Sequence, residues 1–280
     1  MKQTTLFEGE VFENIANPDE ENSGLRTVLS YGGGVQTFAM LLFIEAGIMP
    51  KPDCLIFADT GCEWPHTYKH IEEVAKPICV ELGIPFYTVQ HGTGLIDGYA
   101  EASAIPMAGF RSCTVNYKIR PINDFIKKTW PDEKKNGKAS FISLIGISTD
   151  EAQRAVKREE QAPKWIYLKY PLLEANLSRL DCINMIENSK YIASKKSGCY
   201  LCPYSKLQEW AKLKRQHPEL LQNAVELEEK MRAKRPERES GLLGTDRMMW
   251  LSEFAAMHTL EDFGAVIEPG RECDSGGCFL

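Results

Sequence analysis

The chain has 280 residues, 43% of them hydrophobic and 26% charged, with a formal net charge of −6. This composition suits a globular protein with room for one large α/β domain and an appendage. It excludes a helical membrane span, because the longest apolar run, residues 38–48, is broken by Glu45 and Gly47 and falls short of the ~18–20 residues required.

The first residues carry acids instead of a basic-then-apolar leader, so a cytoplasmic location is expected. The nine cysteines are then reduced thiols, available for metal, cluster or redox chemistry. Charge is uneven: residues 1–23 hold six acids against Lys2 and residues 259–280 five against Arg271, which leaves the middle mildly basic. Such a body accommodates an anionic substrate, although ordinary solvated faces explain it equally.

In chain order, residues 1–23 read as an N-terminal extension. Residues 26–31 form a short β run ending at three glycines. A helical stripe follows, with Phe38, Leu41, Leu42 and Ala46 on one face and Gly47 as its stop. A second strand spans 54–58, a helix 66–82 is kinked at Pro77, and a third strand spans 85–89. Residues 91–112 are Gly- and Ala-rich and are expected to form a mobile active-site loop. A helix over 117–130 and strands over 141–147 and 165–170 complete an α/β region, residues 24–178, whose alternation predicts a parallel sheet with helices on both faces. From 179 to 280 the chain reads as a helical C-terminal region in which Leu220, Leu221, Ala224, Leu227 and Met231 make a core stripe.

Three segments carry chemistry. Ser30 and the run Gly32, Gly33, Gly34, Val35, Gln36, Thr37 join the first strand to the first helix, where glycines let phosphate oxygens approach backbone amides at a helix N-terminus. Asp59, Thr60 and Gly61 end the second strand, positioned to meet a ribose or a metal-bound water, or to cap the next helix. Cys199 and Cys202 form a CxxC, Cys113 opens a basic helix, and Cys273 and Cys278 flank a glycine-rich tail. This is spacing for a metal or an iron–sulfur cluster. Cys54, Cys79 and Cys182 read as packing residues.

In this order the motifs resemble the PP-loop superfamily, on its phosphoadenosine phosphosulfate (PAPS) reductase branch. Gly32 to Thr37 is similar to the family's S-G-G-x-D-[ST], with Gln36 at the acid's position as in PAPS reductases. Asp59 to Tyr68 resembles D-T-G-x-x-x-P-x-T-Y, Cys113 to Pro121 resembles C-x-x-x-x-K-x-x-P, and Gly146 to Arg154 resembles G-x-R-x-x-Q-S-x-x-R. The resemblance implies an adenine nucleotide alpha-hydrolase-like, Rossmann-like fold. It further implies bound ATP or a sulfonucleotide (PAPS or its dephospho form, APS), Mg²⁺ near Asp150 or Glu151, and Arg154 on a phosphate. A 4Fe–4S cluster is implied on Cys113, Cys199 and Cys202, with Cys278 or Cys273 as fourth ligand or the fourth iron left open; structural zinc and free thiols are the alternatives.

Two reactions fit. In one, ATP adenylylates an acceptor carbonyl and sulfur displaces AMP, with Cys113, Lys118 and Arg154 at the centre. In the other, Cys273 attacks a sulfonucleotide, although Asp274-Ser275 replaces the family's Gly-Leu after it. A non-catalytic nucleotide-binding partner holding zinc is the third reading. The expected partners are the nucleotide, a nucleic-acid acceptor, a thiol reductant or sulfur-donor protein and a second copy of the chain, with no membrane.

Overall fold

The structure, a computed structural model, describes residues 24–257 except 110–111, 132–139, 161, 193–196, 240 and 244–248. Five parallel strands form one sheet: β1 (Arg26–Ser30), β2 (Cys54–Asp59), β3 (Phe86–Gln90), β4 (Phe141–Ile145) and β5 (Ile166–Lys169), in the order β3-β2-β1-β4-β5. The chain starts at the centre, winds outward through β2 and β3, then returns to β4 on the other side of β1. The order therefore reverses between β1 and β4, whose last residues Ser30 and Ile145 are in register. A crevice opens at the carboxyl ends of such strands.

Alternation along each strand decides which face is buried against what. Leu29, Leu55, Phe57, Ile142 and Leu144 point into a core with helix α1 (Val35–Glu45), whereas Val28, Cys54, Ile56 and Phe141 pack on the opposite side against Ile126. Residues Val35 to Ile44 are all buried, because α1 is sandwiched rather than laid on a surface.

After β2 the chain forms α2 (Pro65–His70), a π-turn (Ile71–Ala75) and α3 (Lys76–Leu82). The kink expected at Pro77 takes this form: proline lacks the N–H that would close the preceding turn, and the wider turn absorbs the gap. The same device recurs where α5 (Ser112–Thr114) passes through a π-turn (Val115–Ile119) into α6 (Arg120–Thr129), with Pro121 at the corresponding place.

Residues 91–112 are not all loop. Helix α4 spans Leu95–Glu101 and buries Leu95 and Tyr99. Gly98 hid it in the sequence. A Cβ there would lie 2.0 Å from the Tyr117 hydroxyl, so the glycine serves close packing against Tyr117 rather than loop mobility. Strand β4 stops at Ile145, short of the expected 147, because Gly146 turns the chain beneath Thr37, whose Cγ2 lies 2.8 Å from where its Cβ would be.

A 3₁₀ turn (Thr149–Glu151) and α7 (Gln153–Glu160) follow β4, and α8 (Pro171–Glu174) follows β5. Helix α9 (Arg179–Glu187) begins at a capping box between Ser178 and Asp181. Its Cys182 and Ile186 belong to the α1 core. Helices α10 (Leu207–Gln216), α11 (Pro218–Lys234) and α12 (Leu251–Ala256) enclose a second core with Trp210, Leu221, Ala224, Leu227, Met231 and Phe254, which contains most of the expected stripe. Among the described residues no helix is long and apolar enough to cross a membrane.

Candidate functional site

A cavity of about 120 Å³ occupies the crevice between β1 and β4. Phe57, Ile119, Ile122, Ile126, Ile145 and Ile147 give it apolar walls, and Ser30, Gly32, Thr37, Lys118, Arg154 and Arg158 give it polar ones. An apolar slot with a few convergent polar groups at a switch point is the setting expected of a nucleotide base and its phosphates.

The three glycines are not equivalent. A Cβ on Gly32 would meet nothing within 4 Å, and Gly32 lines the cavity. Gly33 adopts φ +69°, and a Cβ there would lie 2.9 Å from the Thr67 Cγ2 of α2. At Gly34 a Cβ would lie 2.6 Å from the Ser197 hydroxyl. Two of the three therefore serve close packing, one against α2 and one against the segment leading to Cys199. Thr37 donates its hydroxyl to the Gly34 carbonyl at 3.2 Å, and Ser30 contacts the Ser143 hydroxyl at 3.2 Å.

Gln36 does not line the cavity. Its amide nitrogen donates to the Ser148 hydroxyl at 3.5 Å and its oxygen accepts from Arg179 at 3.2 Å. It pins the start of α1 to the turn after β4 and to α9, and Arg179 is a partner the sequence did not disclose. Asp59 is likewise committed, accepting from the Gly61 amide at 2.8 Å and the Tyr68 hydroxyl at 2.6 Å. Thr60 donates to Glu63 and accepts from the Cys62 amide, both at 3.2 Å. Through Oδ1, Asp59 braces the loop that follows β2. Asp150 accepts from Ser148 and the Arg179 amide, and Glu151 pairs with Arg154. Both carboxylates expected near Mg²⁺ are already held. Burial raises the Glu151 carboxyl above its ordinary value despite the Arg154 guanidinium.

A second cavity, of about 60 Å³, brings together Cys113, Cys199 and Cys202, with Trp64, Tyr204 and Lys118. The CxxC reaches it because Glu63 and Cys199 form an antiparallel bridge, braced by Trp64 N–H to Gly198 O and Tyr200 N–H to Cys62 O, both 2.9 Å. Lys118 lines both cavities and donates to Glu63 Oε1 at 2.9 Å, a carboxylate with 0% side-chain exposure. Burial alone would lower the lysine's affinity for a proton, but Glu63, with smaller contributions from Cys199 and Cys113, holds it above the ordinary value.

Cys62 is a fourth thiol that the sequence did not place here. It is 1% exposed and hydrogen-bonds the Cys199 side chain; with burial, that bond pushes the Cys199 thiol up. Its position in the run Asp59-Thr60-Gly61-Cys62 was the available signal. Among the described residues no group of three or more His, Cys, Asp or Glu stands at single-ion geometry. Cys113, Cys199 and Cys202 line the cavity, and Cys62 lies behind Cys199. Cys273 and Cys278 lie outside the described residues. Cys54, Cys79 and Cys182 are buried packing residues, with thiols pushed up to about 12 chiefly by burial.

The fold and site thus define an α/β protein with an apolar cavity at the switch point and a thiol-lined cavity beside it. No family model matches the chain. It is 24% identical over 202 residues to an uncharacterized protein of Methanocaldococcus jannaschii, covering 69% of this chain and 39% of that protein. To an uncharacterized nin region protein of Escherichia phage lambda it is 29% identical over 150 residues, covering 45% and 49%. The matched part therefore spans two fifths to one half of these curated relatives. Among solved structures it is similar to the U34-tRNA thiolase NcsA from Methanococcus maripaludis with its 4Fe–4S cluster. That match has 17% identity and a TM-score of 0.40 over 84% of this chain and 82% of the other.

Proposed function

We propose that the chain is an adenine-nucleotide-dependent sulfur-transfer enzyme of the PP-loop type. The observation that carries this reading is Lys118, which forms a wall common to the switch-point cavity and the thiol-lined one. A nucleotide in the first cavity and reduced sulfur in the second would meet at this ammonium.

The nucleotide's base lies among the isoleucines, and its phosphates lie over Gly32, Thr37 and the N-terminus of α1, with Arg154 on the far wall. The acceptor's carbonyl oxygen attacks the α-phosphorus of ATP and pyrophosphate leaves. The sulfur nucleophile then bonds to the activated carbon, and the C–O bond breaks to release AMP. Lys118 and Arg154 are placed to stabilise the charge that develops on the phosphoryl oxygens. The acceptor is a base or a small molecule.

The donor set suits a cluster: three thiols line one cavity beside a cation, and iron–sulfur clusters take thiolate ligands at separate irons. Cys113, Cys199 and Cys202 would hold it, and when bound it would supply the sulfur or the iron that carries it.

The test is anaerobic purification with iron, sulfide and zinc analysis and an absorption spectrum. About four irons per chain, with a broad visible band that bleaches on reduction, is expected. Stoichiometric zinc without iron would sink the cluster and favour a nucleotide-binding protein with structural zinc.

A further inference from the structure

The α7 wall of the switch-point cavity carries two guanidinium groups, and among the described residues an ion pair with a carboxylate is seen for one of them, Arg154. Arg154 and Arg158 are four residues apart, on one helical face, and both line the cavity. Arg154 is paired with Glu151. Arg158 is 7% exposed, and its Nη1 is buried with no hydrogen-bond partner among the described residues. The neighbouring ionisable group that acts on it is the Tyr170 phenol, neutral at ordinary pH and itself held far above its usual range by burial.

An arginine stays charged even when buried, and a buried charge with no counter-ion is strongly unfavourable. Folds keep such groups where a ligand completes them. Arg158 lines the cavity, so a partner of opposite charge can reach it from there.

We infer that Arg158 binds an outer phosphate of the nucleotide's 5′ polyphosphate chain. This inference rests on the nucleotide reading above and adds a residue that distinguishes a polyphosphate from a monophosphate. Topology supplies the distance. Gly32 follows β1, whereas Arg158 lies near Tyr170, the residue after β5, two strands away, or roughly 10 Å at the usual strand spacing. A single phosphate on the glycine loop does not span that gap, but a chain of phosphates does.

The experiment is calorimetric titration of the full chain with adenosine, AMP and ATP, using wild type, Arg158→Gln and Arg158→Lys. The glutamine variant is expected to lose roughly 10- to 100-fold in ATP affinity, the range of a charged hydrogen bond, with adenosine and AMP within about twofold. Arg158→Lys recovers part of the loss.

Melting of the nucleotide-free chain separates binding from folding. Arg158→Met is expected to hold or raise Tm, since it removes a buried unpaired charge, whereas a merely structural arginine would lower it. Wild-type ATP affinity left unchanged by Arg158→Gln, or equal losses for AMP and ATP, would overturn this inference alone. A wild-type chain that binds neither nucleotide would overturn the nucleotide reading and this inference together.

Discussion

Lys118 shows how much one side chain decides here. It sits in a π-turn, a feature that often re-aims side chains at functional sites, and its partner Glu63 is fully enclosed, with Oε2 lacking a partner among the described residues. Removing the lysine strands a buried carboxylate. Lys118→Met is expected to destabilise the chain by about 3 kcal/mol, read as a lower denaturant midpoint at unchanged slope. The double variant Lys118→Met/Glu63→Gln should recover much of that loss, and failure to recover would show that the lysine's packing matters more than its charge. Lys118 was legible in the sequence through the motif that begins at Cys113. Glu63 was not, because its partner lies 55 positions away and no local pattern announces such a pair. Arg158 was equally hidden, since Lys157-Arg158-Glu159-Glu160 reads as a solvated face until the sheet beneath it is known. The close approach of Gly34 to Ser197 was hidden too, because the two lie far apart in the chain.

At the scale of elements, the proline-bearing helices behave alike. Pro77 and Pro121 each follow a π-turn, so a proline that sequence reasoning treats as a kink is accommodated by a widened helix. Where α2 meets its π-turn, His70 stands edge-on to Phe38 at 4.4 Å, its Nε2 buried without a partner among the described residues. Burial, with a smaller push from His66, lowers this imidazole to about 4. The folded chain therefore keeps His70 neutral where the unfolded chain, near 6.5, takes up a proton. Its contribution is intact above pH 6.5 and is lost as pH falls towards 4. His70→Leu should flatten the fall in stability across that window by about 2 kcal/mol, allowing for the ring's partial exposure. Parallel melts at pH 7 and pH 4.5 measure this, and an unchanged slope in the variant would remove His70 as the cause. Helix α4 was the element least legible in advance. Gly98, costly in a helix, masks a Leu95–Tyr99 spacing that only the nearness of Tyr117 explains.

The whole molecule was the most legible of the three scales. Short apolar runs punctuated by helices and glycines dictate a parallel sheet, and all five expected strands are present, with ends shifted by a few residues at most. What periodicity did not supply is how the C-terminal helices hold together. Glu228, 1% exposed on α11, accepts from the Leu242 and Leu251 amides at 2.6 Å each. Burial nevertheless raises its carboxyl above the ordinary value. Glu228→Ala would leave two buried amides unsatisfied and is expected to destabilise the chain by about 3 kcal/mol, with amide exchange at Leu242 and Leu251 accelerated well ahead of that in β1. Uniform acceleration would show instead that these helices unfold only with the sheet.

The contact between Gly34 and Ser197 has a thermodynamic corollary. The start of α1 and the segment that delivers Cys199 share one wall, with no room for a methyl group between them. An occupant that shifts either side changes the floor on which the other rests. Free-energy coupling of this kind is reciprocal: under the proposed function, whatever factor a nucleotide adds to the affinity of the thiols for a cluster, the loaded thiols would return to the nucleotide. Removing that cluster would then change nucleotide affinity by the same factor, at a distance of one side chain and without any moving domain.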